Sequence, residues 1–236
     1  MSNKHKIGFS LWRLPVGVLG GFLSSLAMPR ENIWPLIFVS VALILVSIRG
    51  LRFLPAALIG FASGFAFYMS QIEWMSLYLG PVPWIALSVV EALIFGIGAA
   101  VIASVWAFLN HSLSGKLSSF WIALAIATIW TAREWVAINL PYGGFPWSRV
   151  AQALSDSFLS SLVYFVGISG LTFVSVFITV VLLQSIESGI PGLRKHLVPL
   201  GATTGVIVLA AAFVVPASAE SGEVTVAAVQ GNANAG

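Results

Sequence analysis

The sequence predicts an all-α polytopic membrane protein of about seven transmembrane helices, with a single β-strand after the last of them. Three observations carry that prediction. The residues are 58% hydrophobic and 8% charged, whereas soluble domains carry about a quarter charged residues, so too little polar surface exists to cover a soluble globule. Apolar stretches of roughly spanning length follow one another along the chain. The basic residues fall between those stretches with a strong bias to alternate connections.

A helix that crosses the hydrocarbon layer needs about 20 mostly apolar residues, within about 17–25. Seven segments approach or meet that length: residues 11–28, 33–48, 53–71, 82–109, 117–137, 158–183 and 197–216. Long apolar runs satisfy their own backbone as α-helices in lipid, whereas a β-barrel would alternate. The first segment has Lys4, Lys6 and Arg13 at its start and ends Ser25-Leu26-Ala27, so it also resembles a signal peptide. The second apolar segment follows within a few residues, which favours a retained span. That second segment is short, and Arg30, Glu31, Arg49 and Arg52 on its flanks can snorkel to the headgroups.

Gly17 and Gly21 in the first segment, and Gly60 and Gly64 in the third, stand four apart on one helix face. Missing side chains at that spacing let neighbouring helices approach closely. In the fourth segment Gly96-Ile97-Gly98 lies inside an apolar run with no strand ahead of it, so the setting of a dinucleotide loop is absent. After the seventh segment, residues 224–229 read as a β-strand ending in the turn-prone Gly231-Asn232. A lone strand leaves its backbone groups unpaired, so residues 1–221 are expected to form the helical domain and 222–236 the incomplete start of another.

Lys and Arg fix the orientation. Lys4, Lys6, Arg13, Arg49, Arg52, Lys116, Arg194 and Lys195 fall on one side, Arg30 and Arg149 on the other, and Arg133 within a span. The N-terminus is therefore expected in the cytoplasm and, after an odd number of spans, the C-terminus outside. The basic residues are scattered singly and form no stripe for nucleic acid. The 236 residues hold no cysteine, which excludes a thiolate metal site and a cysteine nucleophile within them. Neither a cofactor nor a metal site is expected.

Charges inside spans are costly and usually pair or line a site. Glu91 lies about 10 Å below the outer boundary of the fourth span, at about 1.5 Å per residue. Arg133 and Glu134 lie at a similar depth in the fifth, so a Glu91–Arg133 ion pair is geometrically open. It could hold two helices in register, or it could orient a polar headgroup entering from the outer leaflet. Residues 138–157 form the longest outer connection, built around Asn139-Leu140-Pro141-Tyr142-Gly143-Gly144-Phe145-Pro146-Trp147. Two prolines and two glycines stop a helix there, and the aromatics suit the bilayer interface. The loop is read either as an aromatic anchor or as a shaped functional loop with Phe145, Pro146 and Trp147 at its centre.

Arg133-Glu134 followed by Gly143-Gly144-Phe145-Pro146-Trp147 resembles a segment of the bacterial apolipoprotein N-acyltransferase family, where it joins a membrane helix to a periplasmic loop. Gly60-Phe61 and Gly64-Phe65, followed by Ile72-Glu73-Trp74, resemble that family's third helix and its outer end. Val229-Gln230-Gly231 resembles the opening strand of its nitrilase-like α/β domain. Where the family commonly carries an arginine shortly after the glutamate, this sequence has Val136 and Ala137.

The resemblance implies a multi-pass protein of the bacterial plasma membrane. Its reaction would transfer a phospholipid acyl chain to the α-amine of the diacylated N-terminal cysteine of a lipoprotein. In the family a Glu, Lys and Cys triad in the nitrilase-like domain does this through a thioester. No catalytic residue is therefore expected in this chain, which by itself should be inactive. The candidate substrate-binding residues are Trp147, Phe145, Pro146, Glu134 and Arg133, with phospholipid and lipoprotein as partners. A second reading is a non-catalytic scaffold for a separate catalytic subunit, such as a polyprenol-phosphate mannosyltransferase. A third, a small transporter, is disfavoured because no pair of broken helices stands in corresponding positions.

Overall fold

The computed structural model describes residues 10–113 and 118–188 and the single residue 227. In chain order these residues form α1 (Arg13–Ala27), α2 (Leu36–Ile48), α3 (Phe53–Gln71), a short α4 (Trp74–Leu79), α5 (Pro81–Ser112) and α6 (Ser118–Ala137). Two 3-10 turns, Val150–Leu154 and Phe158–Leu162, then lead into α7 (Val163–Glu187).

Local chemistry sets several of these limits. Pro29 biases the residue before it towards extended backbone, and α1 ends at Ala27 with Met28 at ψ 162. Pro35 precedes the first residue of α2, and Pro81 opens α5 after Gly80 turns the chain at φ 80, a usual place for proline. Gly167 interrupts α7 at φ 68, in the left-handed region that a β-carbon disfavours.

α3 lies at the centre, packed on α1 and most extensively on α5, while α2 covers α1 and α6 bridges α5 to α7. Lipid supplies no hydrophobic drive between helices, so close packing must hold them. The glycines expected to do this are at the seams. A methyl group on Gly21 would run into the Ser63 carbonyl of α3, and one on Gly64 would lie 2.7 Å from Phe95 Cβ and 3.2 Å from Ala92 Cα of α5. Gly96, set aside as a nucleotide motif, faces the Ala57 carbonyl across the same seam. Between α1 and α2, Ser40 Oγ donates to the Gly20 carbonyl at 2.7 Å and also contacts Ser24 Oγ.

Arg13, counted in the sequence as a flanking charge, is buried. Its Nη1 donates to the Ser47 carbonyl at 3.0 Å and to the Arg49 carbonyl at 2.8 Å. It thus satisfies carbonyls at the end of α2 that lack intrahelical partners.

Among the described residues three helical runs are long and apolar enough to cross a membrane: Phe53–Gln71, Pro81–Ser112 and Phe158–Glu187. They correspond to the third, fourth and sixth expected spans. α1 and α2 are apolar but only 15 and 13 residues long; at about 1.5 Å per residue they are shorter than the roughly 30 Å hydrocarbon layer. α6 has 20 residues and carries Arg133 and Glu134 near its end. The seventh expected span, residues 197–216, lies outside the described residues, as does the expected strand 224–229 apart from Ala227. The connection 138–157 differs from expectation in its second half. Val150, Ala151, Ala153 and Leu154 are buried against the bundle as the first 3-10 turn, because their apolar side chains have a core to enter.

Candidate functional site

The site is built at the end of the bundle that carries the 138–157 connection. The final turns of α6 deliver Glu134 into the interior at 3% exposure. Its Oε1 accepts from Val150 N–H at 3.0 Å and Trp130 Nε1–H at 3.3 Å, and its Oε2 accepts from Thr172 Oγ1 at 2.9 Å and Arg149 Nε at 3.3 Å. Thr172 Oγ1 also accepts from Ala151 N–H at 3.3 Å, and Arg149 Nη2 donates to Ser169 Oγ at 2.7 Å. One carboxylate therefore ties α6 to the first 3-10 turn and to α7. Hydrogen bonds of this kind to an ionised group are among the stronger ones.

Arg133, beside Glu134, lays its guanidinium 4.1 Å from the centre of the Phe95 ring and 5.0 Å from that of Trp130. Gly98 makes room for its aliphatic stem. The arginine's ion-pair contact is with Glu134, Nη2 to Oε1 at 3.7 Å. Glu91 and Tyr68 lie within its electrostatic reach, but no Glu91–Arg133 pair forms within 4.0 Å among the described residues. The reason is local: Phe95, one turn beyond Glu91 on the same face of α5, takes the guanidinium on its ring. Glu91 Oε2, Ser88 Oγ and Arg133 Nε are left buried without hydrogen-bond partners.

After Ala137 the chain turns through Tyr142, Gly143 and Gly144, all at positive φ, and through a cis Leu140–Pro141 bond. A side chain at Gly144 would strike the backbone at Ile138 and Asn139 as well as opposing the φ of 69. Phe145 N–H donates to the Ala137 carbonyl at 2.8 Å, which closes the loop's base. Gln152 clasps it from the other side: its Nε2 donates to the Pro146 carbonyl at 3.0 Å and its Oε1 accepts from Arg149 N–H at 2.9 Å. The Phe145 and Trp147 rings are stacked with centroids 6.1 Å apart, and Trp147 lies 5.6 Å from Trp74 of α4.

Trp147 and Trp74 border a cleft of about 710 Å³ with Leu77 and Met28 among its apolar walls and Arg30 and Glu73 among its polar ones. Arg30 and Glu73 approach each other to 3.7 Å. Of the residues expected from the sequence, Trp147 lines the cleft, Phe145 stands behind it, and Pro146 belongs to the clasped turn. Arg133 and Glu134 are in the buried network instead. Trp74, Arg30 and Gln152 were missed as site residues, although Glu73-Trp74 belonged to a segment quoted for its resemblance. Arg149 had been counted only as a loop charge. Among the described residues no group of His, Asp and Glu is gathered as a metal site.

Residues 20–181 match the family profile of the apolipoprotein N-acyltransferase N-terminal domain, well over half of the 236 residues. The chain belongs to the apolipoprotein N-acyltransferase family. The apolipoprotein N-acyltransferase of Photobacterium profundum is 29% identical over 181 residues, covering 75% of this chain and 35% of the relative. That of Rhodopseudomonas palustris is 28% identical over 204 residues, covering 79% of this chain and 36% of the relative. That of Thermosynechococcus vestitus is 29% identical over 157 residues, 59% of this chain and 31% of the relative. The chain thus spans about a third of the length of the apolipoprotein N-acyltransferases it matches. The profile covers the cleft and the Glu134 network alike. The relatives compared all carry the acyltransferase name, which gives the glycosyltransferase scaffold no support.

Proposed function

We propose that this chain is the membrane domain of an apolipoprotein N-acyltransferase and that its cleft admits the lipid substrates of acyl transfer. The observation that carries the reading is the cleft between Trp74 and Trp147, whose volume of about 710 Å³ combines apolar walls with the charged side chains of Arg30 and Glu73. Such a space suits an amphipath: acyl chains against Leu77 and Met28, and an anionic headgroup near the Arg30 guanidinium, which offers several donors to a phosphate. Trp74 and Trp147 present broad rings at the height where the headgroup and chains meet.

In the proposed reaction a thiolate attacks an ester carbonyl of a phospholipid, forming a thioester while the lysophospholipid leaves as its alcohol after taking up a proton. The lipoprotein's α-amine then attacks the thioester, losing a proton as the amide forms and the thiolate is released. The 236 residues contain no cysteine, so the nucleophile belongs outside them and residues 1–221 serve as membrane domain and lipid entry. Residues 222–236 would open the nitrilase-like domain. With phospholipid and a diacylated lipopeptide, the purified chain is expected to give no triacylated product above a protein-free control. Turnover would overturn the assignment of roles.

The cleft itself is tested with a phospholipid bearing a photoactivatable group near its headgroup. Crosslinks are expected on peptides spanning 71–77 and 147–155, and labelling confined to other peptides would remove the cleft from the proposal. The orientation is tested by reporter fusions. Those after Arg52, Lys116 and Lys195 should report the cytoplasm and those after Trp147 and Glu220 the outside, as the bias of basic residues requires. A cytoplasmic report after Glu220 would overturn the seven-span topology.

Trp147 can be separated from a mere interface anchor by Trp147→Phe in this chain joined to a relative's catalytic domain. Anchoring tolerates any large ring, whereas a preorganised contact depends on ring size and the indole N–H. Turnover is expected to fall at least several-fold with unchanged membrane insertion. Equal turnover would return Trp147 to an anchoring role.

A further inference from the structure

We infer that Arg149 is a positioning residue: held by Glu134 and Ser169 inside the bundle, it fixes the place of the Trp147 loop over the cleft. Arg149 is 7% exposed, although it follows an exposed turn and precedes the buried 3-10 segment. Its Nε donates to Glu134 at 3.3 Å and its Nη2 donates to Ser169 at 2.7 Å, so α6 and α7 each hold one edge of the guanidinium. The backbone on both sides is fixed as well, Arg149 N–H on Gln152 and Val150 N–H on Glu134. Only Ser148, at φ 68, separates this fixed point from Trp147. Few torsions remain between the clamp and the indole.

The contacts favour positioning over ligand binding. Arg149 is buried, and its Nε and Nη2 donors are already taken by Glu134 and Ser169. The planar guanidinium is also specific to the task. It presents Nε and Nη2 donors in a fixed fork, whereas a lysine ammonium in the same place is a point charge on a flexible stem and cannot reproduce that pair of directions.

The consequence for lipid rests on the proposed role of the cleft, but the loop geometry can be measured independently. The chain has no cysteine, so Tyr142→Cys and Leu79→Cys, at positions 107% and 63% exposed, can carry spin labels on the loop and on α4. Leu54→Cys and Ile186→Cys, also exposed, provide a control pair. In the full chain, Arg149→Gln is expected to broaden the loop distance distribution at least about twofold and leave the control pair unchanged, with Arg149→Lys in between. A folded Arg149→Gln protein with an unchanged loop distribution overturns the inference. Should Arg149→Gln fail to accumulate, Ser169→Ala withdraws one acceptor from the same guanidinium. That variant must then broaden the loop pair alone, and no broadening overturns the inference equally. Binding of a pyrene-labelled phospholipid, read by transfer from tryptophan, should weaken about tenfold in Arg149→Gln, because preorganisation is lost. A parent chain that binds no phospholipid would overturn the cleft's proposed role and leave the positioning of the loop intact.

Discussion

Glu134→Ala is expected to lower the unfolding free energy of the helical bundle by about 3–5 kcal/mol, the range seen when one partner of a buried charge network is removed. The carboxylate takes four hydrogen bonds, from Val150, Trp130, Thr172 and Arg149. It is also the ion-pair partner of Arg133. Truncation leaves the buried Arg133 and Arg149 guanidinium groups without their shared carboxylate, and it strands the buried Val150 N–H. Glu134→Gln keeps the shape but turns an NH₂ towards one set of those donors, so it should also lose stability, by less than alanine does. Reversible unfolding in mixed micelles, followed by circular dichroism, measures both. A loss below about 1 kcal/mol for alanine would mean that the site is wet enough to behave as a surface ion pair.

Gly64→Leu is expected to prevent the native packing of α3 on α5 and to cost more than about 3 kcal/mol, beyond the usual 1–3 kcal/mol for an extra methylene in a core. Even a β-carbon there would lie 2.7 Å from Phe95 Cβ and 3.2 Å from Ala92 Cα. Ala92 is backbone contact, so no rotamer change relieves it and the helices must separate. Gly21→Leu should behave alike, because its β-carbon meets the Ser63 backbone of α3. The comparison is Leu58→Ala on α3, a side chain 58% exposed on the outside of the bundle. A substitution away from packed contacts should stay within about 0.5 kcal/mol. The same unfolding assay ranks the three, and a Gly64→Leu protein as stable as Leu58→Ala would refute the glycine seam.

The sequence by itself determined the class of this protein and most of its helices, because hydropathy and length are local properties. The apolar runs at 53–71, 82–109 and 158–183 could be read without knowing any neighbour. Spacing alone placed Gly17, Gly21, Gly60 and Gly64 at helix contacts, since four residues return to the same face of a helix. The Arg133-Glu134 and Phe145-Pro146-Trp147 segments pointed to the family that residues 20–181 match. Which charges pair was another matter. Arg149 and Thr172 reach Glu134 from 15 and 38 residues away, and Arg13 caps α2 across 34 and 36 residues. A composition rule could score Arg13 and Arg149 only as flanking charges, because the sign of a charge says nothing about what lies opposite it. The guanidinium of Arg133 lies over the face of Phe95 instead of pairing with Glu91, a choice between two side chains one turn apart on α5 that spacing alone leaves open. The cleft was likewise decided only by tertiary structure: Trp74 and Trp147 are 73 positions apart in the sequence and come within 5.6 Å because the Glu134 network fixes the loop and the glycine seams fix the helices beneath it.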